Sequence, residues 1–596
     1  MGLLDECCLT LTIISILLLA LVFWWFWMKP ISNWKKRGVP CISANPLTGS
    51  LPLFFWRSFL GDVYARIYRE LDGKRYGLFH MFSKPTIMVR DPEIIRDVLE
   101  NSFDSFHDNG FEKEDPACEQ NLAFMKGEDW EGLRDTLAST FSSSNVKQLA
   151  PLILEVCEVL EDCVSTRVDS VLDLLETGQC YVADVLSSIA FGTRGDCLLN
   201  PAGKFRKMAG KISDISLLRL LLVSRCPCML KSLVRTSPKA VRYFHSLVEE
   251  AIRLREEEKV KRPDFLHILV ELQKQGKLGM GEDVTGEKQA TSEGKDDEQE
   301  WSEEALNNVT AQAVSFVVNG MNTTANTFSF CLLELAHNPE MQEKARSEVE
   351  KVLEFHGSIS ADALMEMPFL ETVLLETVRK YPPIAYLGRS VTKNYTLPSP
   401  ECNSDQEKSE EDSELCLEEG DSIIIPVLGI HMDPQYYPNP EVFDPDHFSD
   451  KNLGKRTRFA FLGFGKGPRI CIGASAARTL HKRFSMLSTG DFNLPDQEFL
   501  GRHSTCDDDE IRSQLEGNPC YRISDLENIL KSSKTNIHRM KLGLLQVKAA
   551  VATLLTKYEF LPSEKTSLPV KFNPANLTTS PKDGAWVKVA SLKKKF

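Results

Sequence analysis

The 16 cysteines of this 596-residue chain lack the spacing of a zinc cluster. Neither a CxxC…CxxC nor a CxxC…HxxxH pattern is present, although Cys7/Cys8 and Cys226/Cys228 form close pairs. The usual zinc-finger spacings are therefore excluded, and no internal repeat is visible. We expect mostly reduced thiols in a protein that faces the cytosol.

A basic excess is also absent, because the formal net charge is −14. Two acidic runs, Glu282–Glu304 and Glu401–Gly420, carry a net charge of −8 each, which leaves +2 for the rest of the chain. Such runs are usually solvated loops. They leave the remainder of the chain free to present a basic face. We nevertheless expect no nucleic-acid partner.

One long uncharged run stands near the N-terminus, Leu9–Met28. At a rise of about 1.5 Å per residue it spans a bilayer core of about 30 Å. Acidic residues precede it, and basic residues, which favour the cytosolic side, follow it. A cleaved signal peptide would have a basic start, a shorter apolar run and a small-residue cleavage site. We therefore predict an anchor over residues 1–28, a turn-rich linker over 29–50 and a globular domain over 51–596.

The remaining pattern predicts a mainly α protein with a minor β part. A hairpin is expected over Tyr76–Arg90, with its turn at residues 83–85, and short strands are expected near residues 570–589. A further amphipathic stretch lies within residues 121–141. The other expected helices are marked by apolar periodicity and by proline stops, and they cover Val309–His337, Pro339–Phe355, Phe369–Lys380 and Val547–Tyr558.

A single cysteine stands in the glycine-rich stretch "FGKGPRICIG", Phe464–Gly473. A nucleophilic thiolate needs a nearby base, and this stretch contains no histidine. A lone thiolate can instead be the one protein ligand of a haem iron. The glycines allow backbone amides to approach the sulfur, and Arg469 could meet a carboxylate of the cofactor.

The pattern Phe464-x-x-Gly467-x-Arg469-x-Cys471-x-Gly473 resembles the signature of the cytochrome P-450 family, the haem-thiolate monooxygenases. The resemblance implies the P-450 fold, with an N-terminal anchor helix, and haem b (iron protoporphyrin IX) bound through Cys471.

The family's E-x-x-R pair matches Glu376 and Arg379, which share one helix face because they are three residues apart. The family locks this pair with an arginine, whereas the matching stretch here, Phe443–Phe448, supplies His447. An imidazole can still hydrogen-bond the glutamate, but it lacks the two-pronged guanidinium.

Three further residues match haem-binding positions of the family. Trp130 and Arg134 fit its W-x-x-x-R helix, which reaches the haem propionates. Arg389 fits another propionate-binding arginine. Taken alone, a core tryptophan beside a surface arginine would be the commoner explanation of the first pair.

The oxygen-activating segment of the family matches Asn319–Thr324 with one departure. Gly320 leaves room for dioxygen, and Thr323 offers a hydroxyl donor. Asn322 replaces the family's acid, and an amide hydrogen-bonds but does not shuttle protons as a carboxylate does. A polar patch that bends a buried helix is the alternative interpretation.

By resemblance, the chain is a monooxygenase of the endoplasmic reticulum membrane that oxidises lipophilic small molecules. Electrons would come from NADPH–cytochrome reductase, with cytochrome b5 as a second candidate partner. Basic residues at 455, 456, 458 and 466 could meet the acidic reductase. Three alternatives remain: an isomerase or dehydratase of the same fold, a non-catalytic relative, and a membrane-tethered interaction protein.

One segment departs from the family altogether. The helix that should follow Gly473 begins only at Met540, so residues 474–539 form a 66-residue insertion that is polar and turn-rich. Either it is a surface excursion, which loop-closure entropy tolerates, or it is translated intron. We favour the intron, because the junction falls where a helix should begin beside the thiolate.

Overall fold

The computed structural model describes most of the chain with a few gaps. The described residues are 13–18, 21, 39–45, 48–82, 84–110, 121–213, 237–278, 301–400, 414–453, 457–473, 542–566 and 568–592.

Among these residues no helix is long and apolar enough to cross a membrane. Most of the predicted anchor Leu9–Met28 lies outside the described residues. Only its residues 13–18 and 21 are described. The predicted insertion 474–539 lies wholly outside them.

Helices dominate the described chain. In chain order they are α1 Leu60–Glu70, α2 Pro92–Arg96, α3 Gly127–Ala138, α4 Ser143–Ser165, α5 Leu174–Phe191, α6 Lys204–Ser213, α7 Pro238–Glu258, α8 Phe265–Lys274, α9 Glu303–His337, α10 Pro339–His356, α11 Ala361–Met365, α12 Pro368–Lys380, α13 Val427–His431, α14 Asp450–Leu453 and α15 Leu542–Leu555.

Nine short strands form three small sheets within the described residues. They are β1 Tyr76–Met81, β2 Lys84–Val89, β3 Val171–Asp173, β4 Leu387–Ser390, β5 Tyr395–Leu397, β6 Leu415–Leu417, β7 Ser422–Ile425, β8 Tyr558–Pro562 and β9 Trp586–Ser591. The sheet orders are β1-β2-β7-β4, β3-β9-β8 and β5-β6. The C-terminal strand β9 pairs antiparallel with β3, and Trp586 lies opposite Asp173.

The core is built around α9, a helix of 35 residues that is buried along most of its length. It packs closely on α5, because a Cβ atom at Gly178 would come within 2.8 Å of Phe328 and 3.1 Å of the Ala325 carbonyl oxygen. Helix α15 is buried on all sides, as expected for a mainly apolar helix. Most of the surrounding helices and strands pack against α9, so its position constrains theirs.

The mainly α prediction with a minor β part is confirmed, while several boundaries are wrong. Helix α9 begins at Glu303, six residues before the predicted start, because Ser302 caps its first turn. The last helix ends at Leu555, and Tyr558 already begins a strand. The hairpin exists, but Lys84 and Pro85 belong to β2 rather than to the turn.

A buried ion pair ties α12 to the chain that precedes the cysteine stretch. Arg379 donates from Nε and Nη2 to the two carboxylate oxygens of Glu376, at 2.8 and 2.7 Å, and both side chains are fully buried. It also donates from Nη1 to the His431 carbonyl and from Nη2 to the Pro440 carbonyl, each at 2.9 Å. One guanidinium therefore fixes α12, the end of α13 and the segment after it.

His447 completes this cluster from a 3-10 helix, Pro445–Phe448. Its Nδ1 lies 3.2 Å from Glu376 Oε1, and its Nε2 lies 3.0 Å from the Pro438 carbonyl. Both ring nitrogens face acceptors, so only the imidazolium satisfies both bonds. Burial is the largest single influence and works against that charge, but the hydrogen bond to Glu376, the charge of Glu376 and the bond to the Pro438 carbonyl together outweigh it, so the pKa of His447 is raised above its ordinary value.

Replacing His447 should change how stability depends on pH. A raised folded-state pKa means that the stabilisation is complete below the unfolded pKa of about 6.5 and is lost as pH rises through the folded value. We expect the urea midpoint to fall over that window. His447→Arg should remove the fall, because a guanidinium keeps its charge. His447→Gln should lose about 1–3 kcal/mol below pH 6.5.

A suitable control is His245→Gln, since His245 lies half-buried on α7 away from this cluster. Its pH profile should follow that of the unaltered chain. An identical alkaline loss of stability in the His447→Arg variant would show that another group causes it.

Candidate functional site

The cysteine stretch folds as a tight turn whose geometry needs two of its glycines. Gly465 and Gly467 have φ angles of +72° and +71°, a region that favours glycine. A Cβ atom at Gly467 would also lie 1.7 Å from the Leu99 carbonyl oxygen. The turn closes where the Cys471 amide donates to the Phe464 carbonyl at 2.9 Å. The backbone therefore sets the position of the thiol.

The turn is anchored to the buried ion pair through His431, a residue that the sequence analysis missed. Nε2 of His431 accepts from the Leu462 amide at 2.9 Å, so Nδ1 carries the proton and donates to the Arg379 carbonyl at 3.0 Å. The ring also stacks on Phe461, at 5.4 Å between centroids. His431 is the one histidine of the stretch "IPVLGIHMDP", residues 425–434, but no spacing in that stretch marks it.

The thiol of Cys471 is exposed and forms no disulfide. Within the part of the chain that the structure describes, no group of three His, Cys, Asp or Glu side chains could hold a metal ion. A single exposed thiol held by the backbone suits a metal that needs one protein ligand, as a haem iron does.

Three arginines from different elements gather beside the turn. Arg134 on α3 donates from Nη2 to the Ile470 carbonyl at 2.8 Å. Arg469 donates from Nη2 to the Met125 carbonyl at 2.9 Å. Arg389, at the third position of β4, is 5% exposed.

Aromatic and electrostatic contacts link these groups. The guanidinium of Arg469 lies 4.1 Å from the ring centroid of Trp130, so this ring supports the arginine. Burial, and then the charge of Arg469, lowers the pKa of Arg389 to about 9. Burial lowers the pKa of Arg469 to about 10, with Asp108 opposing that shift and Arg134 adding to it. The three guanidiniums therefore repel one another where little water is present to screen their charges.

This cluster fits the haem that the resemblance implies. Among the described residues, no acceptor lies within hydrogen-bonding distance of the buried Nε of Arg389. A buried donor without an acceptor is costly, and three clustered guanidiniums need anions. The two propionates of haem would supply both acceptors and charge.

The central-helix residues occupy one stretch of α9. A Cβ atom at Gly320 would meet only Leu186, at 3.7 Å, so open space lies beside it. The Thr323 hydroxyl donates to the Asn319 carbonyl at 2.7 Å. The Asn322 amide donates to the Ser213 carbonyl, at the end of α6, at 3.3 Å. The amide that replaces the family's acid is thus engaged with α6.

The structure brings the predicted site residues together in three groups. Glu376, Arg379 and His447 form the buried cluster, while Gly320, Asn322 and Thr323 follow one another on α9. The third group surrounds the cysteine turn, and it comprises Trp130, Arg134, Arg389, Phe464, Arg469, Cys471 and Gly473.

Comparison with known proteins agrees with this geometry. A family model described as cytochrome P450 matches residues 40–487. A probable cytochrome P450 6a13 of Drosophila melanogaster is 30% identical, over 94% of this chain and 95% of that protein. Cytochromes P450 6k1 and 9e2 of Blattella germanica are 30% and 32% identical, over 78% and 74% of this chain and 87% and 84% of their own lengths.

These matches support the monooxygenase expectation over the alternative of a membrane-tethered interaction protein. The chain belongs to the cytochrome P450 family, and it is a haem-thiolate monooxygenase with iron protoporphyrin IX as its cofactor.

Proposed function

We propose that this enzyme oxidises lipophilic small molecules with dioxygen and with electrons that NADPH–cytochrome reductase supplies. The observation that carries the proposal is the exposed thiol of Cys471 beside three buried arginines. The insect cytochrome P450 relatives support the same assignment.

In this proposal each group around the turn has one task. Cys471 would bind the haem iron through its sulfur, and the haem would supply oxygen activation when bound. Arg134, Arg389 and Arg469 hold the propionates, while Trp130 keeps Arg469 in place. Phe464 and Gly473 shape the turn, so that backbone amides approach the sulfur and tune its electron donation.

Proton supply is assigned to α9. Gly320 leaves space for the substrate oxygen, and Thr323 has its own proton committed to the Asn319 carbonyl. To deliver that proton the hydroxyl would turn away from the Asn319 carbonyl, and its oxygen would take a replacement proton from water, which bulk solvent reprotonates. Asn322 orients that water rather than exchanging protons, because an amide does not ionise.

We also propose a location and an electron-transfer surface. The enzyme would be held in the endoplasmic reticulum membrane by residues 1–28, with its catalytic domain in the cytosol. Arg458, whose side chain is 63% exposed, lies near the cysteine turn in sequence. With Lys466 it would meet an acidic flavin domain, or cytochrome b5, and orient it.

The insertion at residues 474–539 is assigned to unspliced intron. Helix α15 begins at Leu542, and a Cβ atom at Gly543 would lie 3.4 Å from the Thr324 hydroxyl of α9. The start of α15 thus packs beside the segment proposed to deliver protons. By resemblance to the family, the cysteine turn would connect directly to α15.

Cys471→Ser should abolish the thiolate-type Soret band of the reduced carbon-monoxide complex and all monooxygenase turnover, because a hydroxyl does not replace the thiolate. Cys416→Ser is the matched control, since Cys416 is another exposed free cysteine. Full activity in Cys471→Ser would remove Cys471 as the ligand. Loss of turnover without NADPH–cytochrome reductase is the corresponding test of the electron source.

Asn322→Asp should raise product formation, or lower peroxide release, by roughly two- to tenfold, a small part of what general acid–base catalysis contributes. A carboxylate cannot donate to the Ser213 carbonyl, so the side chain is expected to leave α6 and to exchange protons with water. Asn322→Gln keeps the amide and serves as control. Unchanged rate and coupling would mean that water already supplies the protons.

Deleting residues 474–539 should increase haem incorporation per folded chain, measured by the ratio of Soret to protein absorbance. Removal of residues 283–298, another acidic and polar stretch, controls for shortening the chain. Transcripts from the source organism should mostly lack codons 474–539. Dominant full-length transcripts together with equal haem content would make the insertion a genuine part of the enzyme.

A further inference from the structure

Asp108 lies where three elements of the haem site meet. Its backbone carbonyl accepts from the Ser390 amide, at the end of β4, at 2.9 Å. Its Oδ1 accepts from the Gly127 amide, at the start of α3, at 3.2 Å. The same oxygen lies 3.6 Å from Nη2 of Arg469. Strand β4, helix α3 and the cysteine turn each carry one of the clustered arginines.

The contact with α3 has a clear physical basis. The first amides of a helix lack partners within the helix, and Lys126 at the N-cap position provides no side-chain acceptor. Asp108 supplies an acceptor from a distant segment, and its negative charge suits a helix N-terminus. The hydrogen bond from the Gly127 amide to Asp108 therefore fixes where helix α3 begins.

Asp108 also completes the surroundings of Arg469. The guanidinium donates from Nε to the His107 carbonyl and rests on Trp130. Nδ1 of His107 lies 2.8 Å from the Asp108 carboxylate, whose side chain is 14% exposed. The Asp108 carboxylate and the His107 carbonyl thus both contact the Arg469 guanidinium.

We propose that Asp108 is a positioning residue for haem, which holds Arg469 and α3 where the clustered guanidiniums can reach the propionates. It also acts as a third counter-charge. Three guanidiniums, one aspartate and two propionates make a neutral set, so none of the buried cations is left without an anion when haem is bound.

A purely electrostatic role for Asp108 predicts the opposite change in haem affinity from a positioning role. If Asp108 acted only through its charge, it would repel the propionates, and its removal would tighten haem binding. If it acts by positioning, its removal weakens haem binding although it leaves the pocket more positive. The rate of haem loss therefore distinguishes the two effects.

The test compares Asp108→Asn with Asp104→Asn in the holoenzyme, following haem transfer to excess apomyoglobin. Asparagine keeps an acceptor for the Gly127 amide but loses the charge that holds Arg469. We expect roughly tenfold faster haem loss, as for other residues that support ligands. Asp104 is exposed in the same segment, so its variant should lose haem at the original rate. Unchanged or slower loss in Asp108→Asn would overturn the proposal.

A second measurement separates positioning from general structural support. Resonance Raman bending modes of the propionates should shift in Asp108→Asn and stay fixed in Asp104→Asn. Introduced into an Arg469→Gln background, Asp108→Asn should have little further effect on haem loss, because both act on one interaction. Unshifted propionate modes, or fully additive rates, would show that Asp108 does not act through Arg469.

Discussion

The fully buried pair of Glu376 and Arg379 is the interaction on which the site depends. Removing two charges from water is expensive, and the cost is met only when every donor and acceptor is satisfied. Here the satisfying groups are backbone carbonyls of the chain that leads to the cysteine turn, at His431 and Pro440. The turn can reach its position only when that chain is in place. A pair remote from the chemistry therefore determines where the thiol lies.

The arginine cluster beside the cysteine turn differs in its charge balance from the buried cluster at α12. In the buried cluster at α12 the protein supplies the partners itself, since Glu376 accepts from both Arg379 and His447, and backbone carbonyls accept from both cations as well. The cluster of Arg134, Arg389 and Arg469 is not balanced by the protein, which contributes Asp108 as its nearest acid. The first cluster can form as the protein folds, whereas the second is complete only with its cofactor. Folding and cofactor binding are thus separate electrostatic tasks in one domain.

The sequence predicted what depends on local pattern. Long amphipathic helices with proline stops, such as Pro339–His356, were located to within a residue, because periodicity and caps are local. Asp108 and His431 were missed, since each acts through contacts made by distant segments, and neither stands at a spacing that marks it. The engagement of Asn322 with Ser213 was likewise invisible, because it depends on where α6 ends against α9.

The strand pairing at the C-terminus has a consequence for biosynthesis. Strand β3 is complete once residue 173 has been made, but its partner β9 ends at Ser591. At about 5–20 residues per second the ribosome needs about 20–80 seconds to make the intervening chain. The helix that is buried on all sides, α15, is also among the last segments to emerge. During that time the incomplete helical domain exposes apolar surface. The enzyme therefore depends on protection from aggregation until translation ends.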